Sequence, residues 1–330
     1  MRVTNYSSTR IRHRRPARRL PHRLALFCAA LGTLAACDSA SAPSAPDEGL
    51  EAGPVADQAT ASAPTPGSFA GKIAFTASDG VQRDIYVMNA DGSGLTRLTS
   101  TPQNEFDPAW SWDNGRIAFI RPRTNASAQV HGDVFVVDAN GANGHWASPT
   151  PSAVSLRSPA WAPDGSRLLV SSSNGVLSMD LATGTLTQFK NGANNVSGLS
   201  MAFDATGQKV VVGTSGIFIY KADGSGQIGS AFATPHNTAA ESVAFSPDGK
   251  TVVLTEAITS DRRKIYLFSG SAFTLVTGSG VGLGVSWSPD GKQIVFGGRR
   301  GRVNRINADG SQRVGLAGTG GFDNQPAYSH

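Results

Sequence analysis

Between residues 69 and 330, apolar and polar positions alternate in short runs, each closed by a cluster of Gly, Asp, Asn, Ser or Pro. A period of two is the signature of a β-strand with one buried face, and such clusters are turns. One two-part pattern recurs. Its first part is a small residue, an aromatic, a turn and an apolar strand: PAWSWDNGRIAF (108–119), PAWAPDGSRLLV (159–170), MAFDATGQKVVV (201–212), VAFSPDGKTVVL (243–254) and VSWSPDGKQIVF (285–296). The aromatics are Trp110, Trp161, Phe203, Phe245 and Trp287, spaced 51, 42, 42 and 42 apart, and Tyr328 in PAYSH follows 41 residues later.

The second part is an alternating strand, a tight turn and a short outer strand: DIYVMNADGSG (84–94), DVFVVDANGANG (133–144), VLSMDLATGT (176–185), IFIYKADGSG (217–226), KIYLFSGSA (264–272) and VNRINADGS (303–311). Asp in such a turn bonds its own backbone, Gly supplies positive φ, and Pro pre-sets φ. Four strands per unit of about 42 residues is the signature of a β-propeller. The domain is therefore expected to be all-β: six blades of four antiparallel strands. The segment begins with a second strand (Lys72 to Phe75) and ends with a first strand (Gln325 to Ser329), so the two should pair in one blade and close the ring. The aromatics should fill the contacts between blades.

The repeated PAWSPDG…IYVMNADGSG pattern resembles that of TolB-type β-propellers, relatives of the WD-repeat propellers. The resemblance covers 69–330 and implies a propeller that binds other envelope components. TolB proteins carry an α/β domain before the propeller, and that place holds a different kind of segment here.

Composition agrees with a turn-rich β domain: 38 of 330 residues are Gly, and only 16% are charged. The net charge of +5 misleads, because residues 1–36 hold eight Arg and no acid. The rest has 21 Lys and Arg against 24 Asp and Glu, so nucleic acid is not an expected partner. Residues 10–23 are strongly basic, and the 13 residues Leu24 to Ala36 are apolar, too few to span a bilayer and the right number for a signal-peptide core. The leader ends Leu34-Ala35-Ala36-Cys37, which resembles a bacterial lipobox and makes Cys37 the expected acylated residue. Asp38 resembles an inner-membrane retention signal of enteric bacteria, a rule that does not transfer safely. With Cys28 in the leader, the mature chain holds one cysteine and no internal disulfide. Residues 37–68 are rich in Ala, Ser and Pro, with five acids and no base, and are expected to be a disordered tether. The expected organisation is a lipoprotein signal peptide (1–36), a tether (37–68) and a propeller (69–330), lipid-anchored and facing the periplasm or the cell exterior.

Catalytic motifs are missing. There is no Gly-x-Ser-x-Gly, Walker sequence, His-Glu-x-x-His or Cys-x-x-Cys. After the leader the histidines are His131, His145, His236 and His330, none spaced as a zinc pair. The ADGSG turns lack the later Glu and the full Asp series of a calcium loop. No cofactor and no metal are expected. Polar residues entering the innermost strands are candidates for the central channel: Glu105, Asp107, His236, Glu241 and Asp323.

A second candidate is electrostatic. The loops joining strands two and three carry Arg83 in blade 1, Arg121 and Arg123 in blade 2, Arg262, Arg263 and Lys264 in blade 5, and Arg299, Arg300 and Arg302 in blade 6. Those of blades 3 and 4 are short and neutral. Blades 5, 6, 1 and 2 are contiguous, so a basic arc is expected on one face, suited to an acidic protein or anionic polymer. These features point to a non-catalytic binding or scaffolding propeller, expected as a monomer. The alternative is a propeller lyase or hydrolase acting on polysaccharide or peptide through the channel residues. A third reading, a truncated relative of propeller-bearing peptidases, has no catalytic domain behind it.

Overall fold

The chain divides into two units, Met1–Ala59 and Thr60–His330. The computed structural model describes residues 71–330 apart from 192–193, 196–197, 260–261, 278–280, 299–301, 317 and 320–323. The leader, Cys37, the tether, Arg299, Arg300 and Asp323 lie outside the described residues.

Six four-stranded antiparallel sheets are present. Blade 1 is Asn324–Tyr328, Lys72–Ser78, Arg83–Asn89 and Thr96–Arg97, from the inside outward. Blade 2 is Phe106–Trp110, Arg116–Thr124, Val130–Asp138 and His145–Trp146. Blade 3 is Leu156–Trp161, Arg167–Ser172, Gly175–Asp180 and Leu186–Gln188. Blade 4 is Ser200–Phe203, Lys209–Gly213, Gly216–Lys221 and Phe232–Ala233. Blade 5 is Ala240–Phe245, Thr251–Thr259, Arg262–Ser269 and Ala272–Thr277. Blade 6 is Val281–Trp287, Gln293–Gly298, Val303–Asn307 and Val314–Gly315. A small hairpin, Lys190–Asn191 with Asn194–Asn195, separates blades 3 and 4.

Each innermost strand lies against the next, and that of blade 6 lies against Asn324–Tyr328. The ring closes as the repeat predicts: Tyr328 pairs with Ile73 and Ala327 with Ala74. The Ser329 N–H donates to the Lys72 carbonyl, and the Lys72 N–H donates to Ser329 Oγ. Joining the ends in one sheet removes two open edges.

The aromatics pack between blades. Trp110 lies with Ile117 and Phe119 of its own blade and with Ala74, Ile85 and Val87 of blade 1. Trp161 packs against Ile120 and Val134 of blade 2, Trp287 against Val253 and Ile265 of blade 5, and Tyr328 against Val295 and Val303 of blade 6. Phe245 is only half-buried. The hairpin turns follow from their sequence. In blade 5 the Ser246 hydroxyl and the Lys250 N–H both donate to Asp248, holding its carboxyl below the usual range, while Gly249 takes φ +66°.

One expectation is corrected. The repeat predicts a short outer strand in every blade, and five blades have two or three residues there. In blade 5 the outer strand has six, because AFTLVT is an unbroken run rich in β-branched, aromatic and aliphatic residues with no Gly or Pro.

Candidate binding site in the central channel

The six innermost strands enclose a cavity of about 210 Å³, lined by Asp107, Glu241, Ser158, Gln325 and Gly284 among others. Its wall is built by backbone geometry that strands ordinarily avoid. Asp107 (φ +55°), Ser158 (φ +48°), Gln325 (φ +56°) and Gly284 (φ +78°) are left-handed, and each marks a bulge in the pairing of its strand. They occupy one column of the repeat, three residues before Trp110, Trp161, Tyr328 and Trp287. Three of them precede Pro, which disfavours helical backbone further. Each such residue costs on the order of 1–3 kcal/mol unless its surroundings compensate.

A belt of hydrogen bonds supplies the compensation, each running from one blade's backbone to the preceding blade's side chain. Gln325 Oε1 accepts the Asp107 N–H at 3.3 Å, and Asp107 Oδ2 accepts the Ser158 N–H at 3.0 Å. Ser200 Oγ accepts the Val243 N–H, Ser242 Oγ that of Val285, and Ser286 Oγ that of Tyr328, at 3.3, 3.1 and 3.1 Å. Five of the six junctions are thus joined; among the described residues no equivalent bond joins blades 3 and 4. The same column holds Ser200 and Ser242. In blade 6 it is Gly284, where a Cβ would lie 2.4 Å from Gln325 Cα, and Ser286 supplies the acceptor two positions later. The sequence pattern singles out Asp107 but not the column, although its polar-or-Gly composition three residues before each aromatic was the available signal.

The Gln325 amide also donates to Asp107 Oδ1. Burial pushes the Asp107 carboxyl above the usual range, against the pull of the Ser158 N–H and the Arg157 charge. The channel thereby presents an oriented carboxylate that takes up a proton more readily than an exposed Asp.

Among the described residues, the other channel candidates make no hydrogen bond to Asp107. Glu241 lines the same cavity, and its carboxylate is paired with Arg263. Glu105 is fully buried at the blade 1–2 junction, accepting the hydroxyls of Thr99 and Thr101 and paired with Arg121 at 2.7 Å. His236 turns to Glu256, its Nδ1 2.8 Å and its backbone N–H 2.7 Å from the two carboxylate oxygens. Because a carboxylate only accepts, Nδ1 carries the proton and Nε2 faces Lys264 Nζ at 3.4 Å. Desolvation raises Glu256, but the His236 donors outweigh it and hold its carboxyl below the usual range. No hydrogen bond or ion pair among the described residues joins two of the four. Nor do three or more His, Cys, Asp or Glu gather where they could hold a metal, among the described residues.

The basic arc is narrower than its sequence suggests. Arg121 faces Glu105 and stacks over Phe135 at 3.6 Å. Arg123 lies 3.6 Å from Asp133, donates to the Ser148 and Pro149 carbonyls and covers Trp146. Arg263 is held by Glu241. These three guanidiniums pair inward because each long side chain reaches a buried or half-buried carboxylate at a blade junction. Arg83, Arg262 and Arg302 are exposed and Lys264 is half-buried.

No family description matches the chain. A Tol-Pal system protein TolB from Anaeromyxobacter dehalogenans is 51% identical over 39 residues, 12% of this chain and 9% of that protein. The crystal structure of TolB from Acinetobacter baumannii superposes with a TM-score of 0.65 at 20% identity, covering 80% of this chain and 68% of that one. The domain is a TolB-like propeller. The uncharacterized peptidase YuxL of Bacillus subtilis is 29% identical over 182 residues, 55% of this chain. The chain spans 26% of that peptidase and 9% of the Anaeromyxobacter TolB, so the likeness is to the propeller repeat.

Proposed function

We propose that the chain is a non-catalytic binding propeller of the bacterial cell envelope, held at a membrane by lipid on Cys37 and taking a protein or anionic polymer at its channel face. The observation that carries this reading is the fixed Asp107 carboxylate at the channel wall. It is oriented by Gln325 and Ser158 in strained backbone that the belt of inter-blade bonds maintains. Oriented acceptors on a rigid ring suit recognition, and strained backbone clusters at functional sites. The Tol-Pal name of the Anaeromyxobacter relative supports an envelope setting. The leader of residues 1–36, the Leu34-to-Cys37 ending and the tether of residues 37–68 support lipid anchoring, with the propeller facing the periplasm or the cell exterior. The exposed Arg83, Arg262 and Arg302 supply positive charge that suits an anionic polymer.

The enzyme alternative draws support from the likeness to the Bacillus peptidase. It is the weaker reading, because Glu105, Asp107, His236 and Glu241 are each engaged with a different partner and do not converge. The test is to immobilise the full chain, challenge it with envelope extract and identify what is retained by mass spectrometry. Asp107→Asn and Glu241→Gln are expected to lose the retained partner. Consumption of a peptide or polysaccharide that stops in Asp107→Asn would overturn the binding reading. Anchoring is tested separately: Cys37→Ser should leave the membrane fraction, and retention there with normal processing would rule out the lipid.

A further inference from the structure

The blades end unequally. Thr96–Arg97, His145–Trp146, Leu186–Gln188, Phe232–Ala233 and Val314–Gly315 are too short to template another strand, whereas blade 5 ends in the six residues Ala272–Thr277. No Asp, Glu, Lys, Arg or His occurs from Ile265 to Pro289. The inner side of this strand pairs with Arg262–Ser269, matching Phe268 with Phe273, Leu267 with Thr274 and Tyr266 with Leu275. Among the described residues no strand pairs with its outer side. Ala272, Thr274 and Leu275 are exposed, Leu275 at 51%. Natural sheets shorten, charge or cover such edges, and this one has none of these protections over Ala272–Leu275. Blade 6 approaches it at Val276, whose carbonyl lies against Gly310.

We propose that this edge pairs with its own copy, joining two propellers through antiparallel blade 5 strands. Strand side chains alternate between faces, so a two-fold axis perpendicular to the sheet must set one residue opposite its own copy. The centre of the available stretch is Thr274. That register sets Thr274 opposite Thr274 and Phe273 opposite Leu275. Phe273 lies 4.9 Å from Phe268 and edge-on to Tyr266, so the new pair extends an existing apolar row. Aromatic and aliphatic pairs directly opposed across strands are stabilising, and an uncharged segment meets its copy without like charges. The joined blades form one eight-stranded sheet at the perimeter, leaving both faces and the channel open. This departs from the monomer expected from sequence and is independent of the channel's role.

The experiment uses the full chain with Cys28→Ser and Cys37→Ser, so that neither lipid nor native thiols contribute. Sedimentation over a concentration series should show a monomer–dimer equilibrium. Leu275→Lys should weaken dimerisation at least about tenfold, since it replaces the aliphatic partner of Phe273 with the charged residue that natural edges use to prevent pairing. Thr274→Cys should cross-link on mild oxidation, because opposed residues in an antiparallel pair have Cα atoms about 4.5–5.5 Å apart, within disulfide reach. Leu95→Cys, on the blade 1 edge, should not. A monomer at every concentration, a dimer indifferent to Leu275→Lys, or cross-linking of the Leu95→Cys variant in place of the Thr274→Cys variant would overturn the proposal. If Leu275→Lys disturbs the fold, the Thr274→Cys cross-link decides alone.

Discussion

The carboxylate of Asp107 accepts the backbone N–H of Ser158 across the junction of blades 2 and 3. Both residues hold left-handed backbone immediately before a proline. A single bond thus ties the strain of one blade to that of the next, and burial raises the carboxyl that makes it.

A pH dependence follows from that raised carboxyl. Between the ordinary Asp range, about 3.9, and the raised folded value, the folded chain binds more protons than the unfolded chain. This group's contribution to stability is therefore fully present below the ordinary range and falls as pH rises through the folded value. Many turn carboxylates, such as Asp113 and Asp248, are lowered and act in the opposite sense. The wild type is therefore compared with Asp107→Asn. The stability difference should shift in favour of the wild type on acidification towards pH 4, measured by urea unfolding at several pH values. A difference constant with pH would mean that the carboxyl is not raised.

Gly284 is the column member without a side chain, and its site has no room for one. Gly284→Ala would set a Cβ 2.4 Å from Gln325 Cα at φ +78°. Overpacking costs about 1–3 kcal/mol and the left-handed backbone adds to it, so a loss of at least about 2 kcal/mol is expected by chemical denaturation. Gly226, with open space around it, is the control: Gly226→Ala should change stability by less than about 0.5 kcal/mol.

Ring architecture and closure were legible from sequence because each depends on a repeated local pattern: an aromatic every 42 or so residues, and a final strand lacking its partner. The ion-pair networks were not legible. Glu105 meets Arg121 only once the first two strands of blade 2 pair, and His236 meets Glu256 only once the loop from blade 4 folds against the second strand of blade 5. Loop charges such as Arg123 read as a surface feature when their carboxylate partner, Asp133, sits within an apolar strand pattern. The channel column was half-legible. Asp107 stood out as charged, while Ser200 and Ser242 have the same position but a side chain common everywhere.

Two arginines of the expected arc should separate by phenotype. Arg121 is nearly buried and answers a fully buried carboxylate, so Arg121→Ala leaves Glu105 uncompensated and should cost about 3–5 kcal/mol of stability. Arg262 is exposed, and Arg262→Ser should change stability by no more than about 0.5 kcal/mol. In a binding assay against anionic polymer the order reverses. The triple change Arg83→Ser, Arg262→Ser and Arg302→Ser should weaken a salt-sensitive association, because exposed charges act within about 8–10 Å at physiological ionic strength. Unchanged binding at low salt, with the fold intact, would remove the arc from consideration.

Tyr328 tests ring closure from within the closing strand. Its ring packs with Ile73, Phe75, Val295 and Val303, and its backbone N–H bonds Ser286 of blade 6. It therefore joins the first sheet to the last. Tyr328→Ala should cost about 3–5 kcal/mol, the usual range for removing a buried large aromatic. Burial pushes the phenol up to about 12, against an ordinary value near 10. Between those values the folded chain holds a proton that the unfolded chain has released. The contribution of Tyr328 to stability is then full below pH 10 and declines as pH rises towards 12. Tyr328→Phe keeps the packing and removes the titration. It should stay close to the wild type at pH 8 and lose less stability on moving to pH 11. If the two lose stability equally over that interval, the phenol is not buried in the closed ring and the closure is looser than the packing of Tyr328 implies.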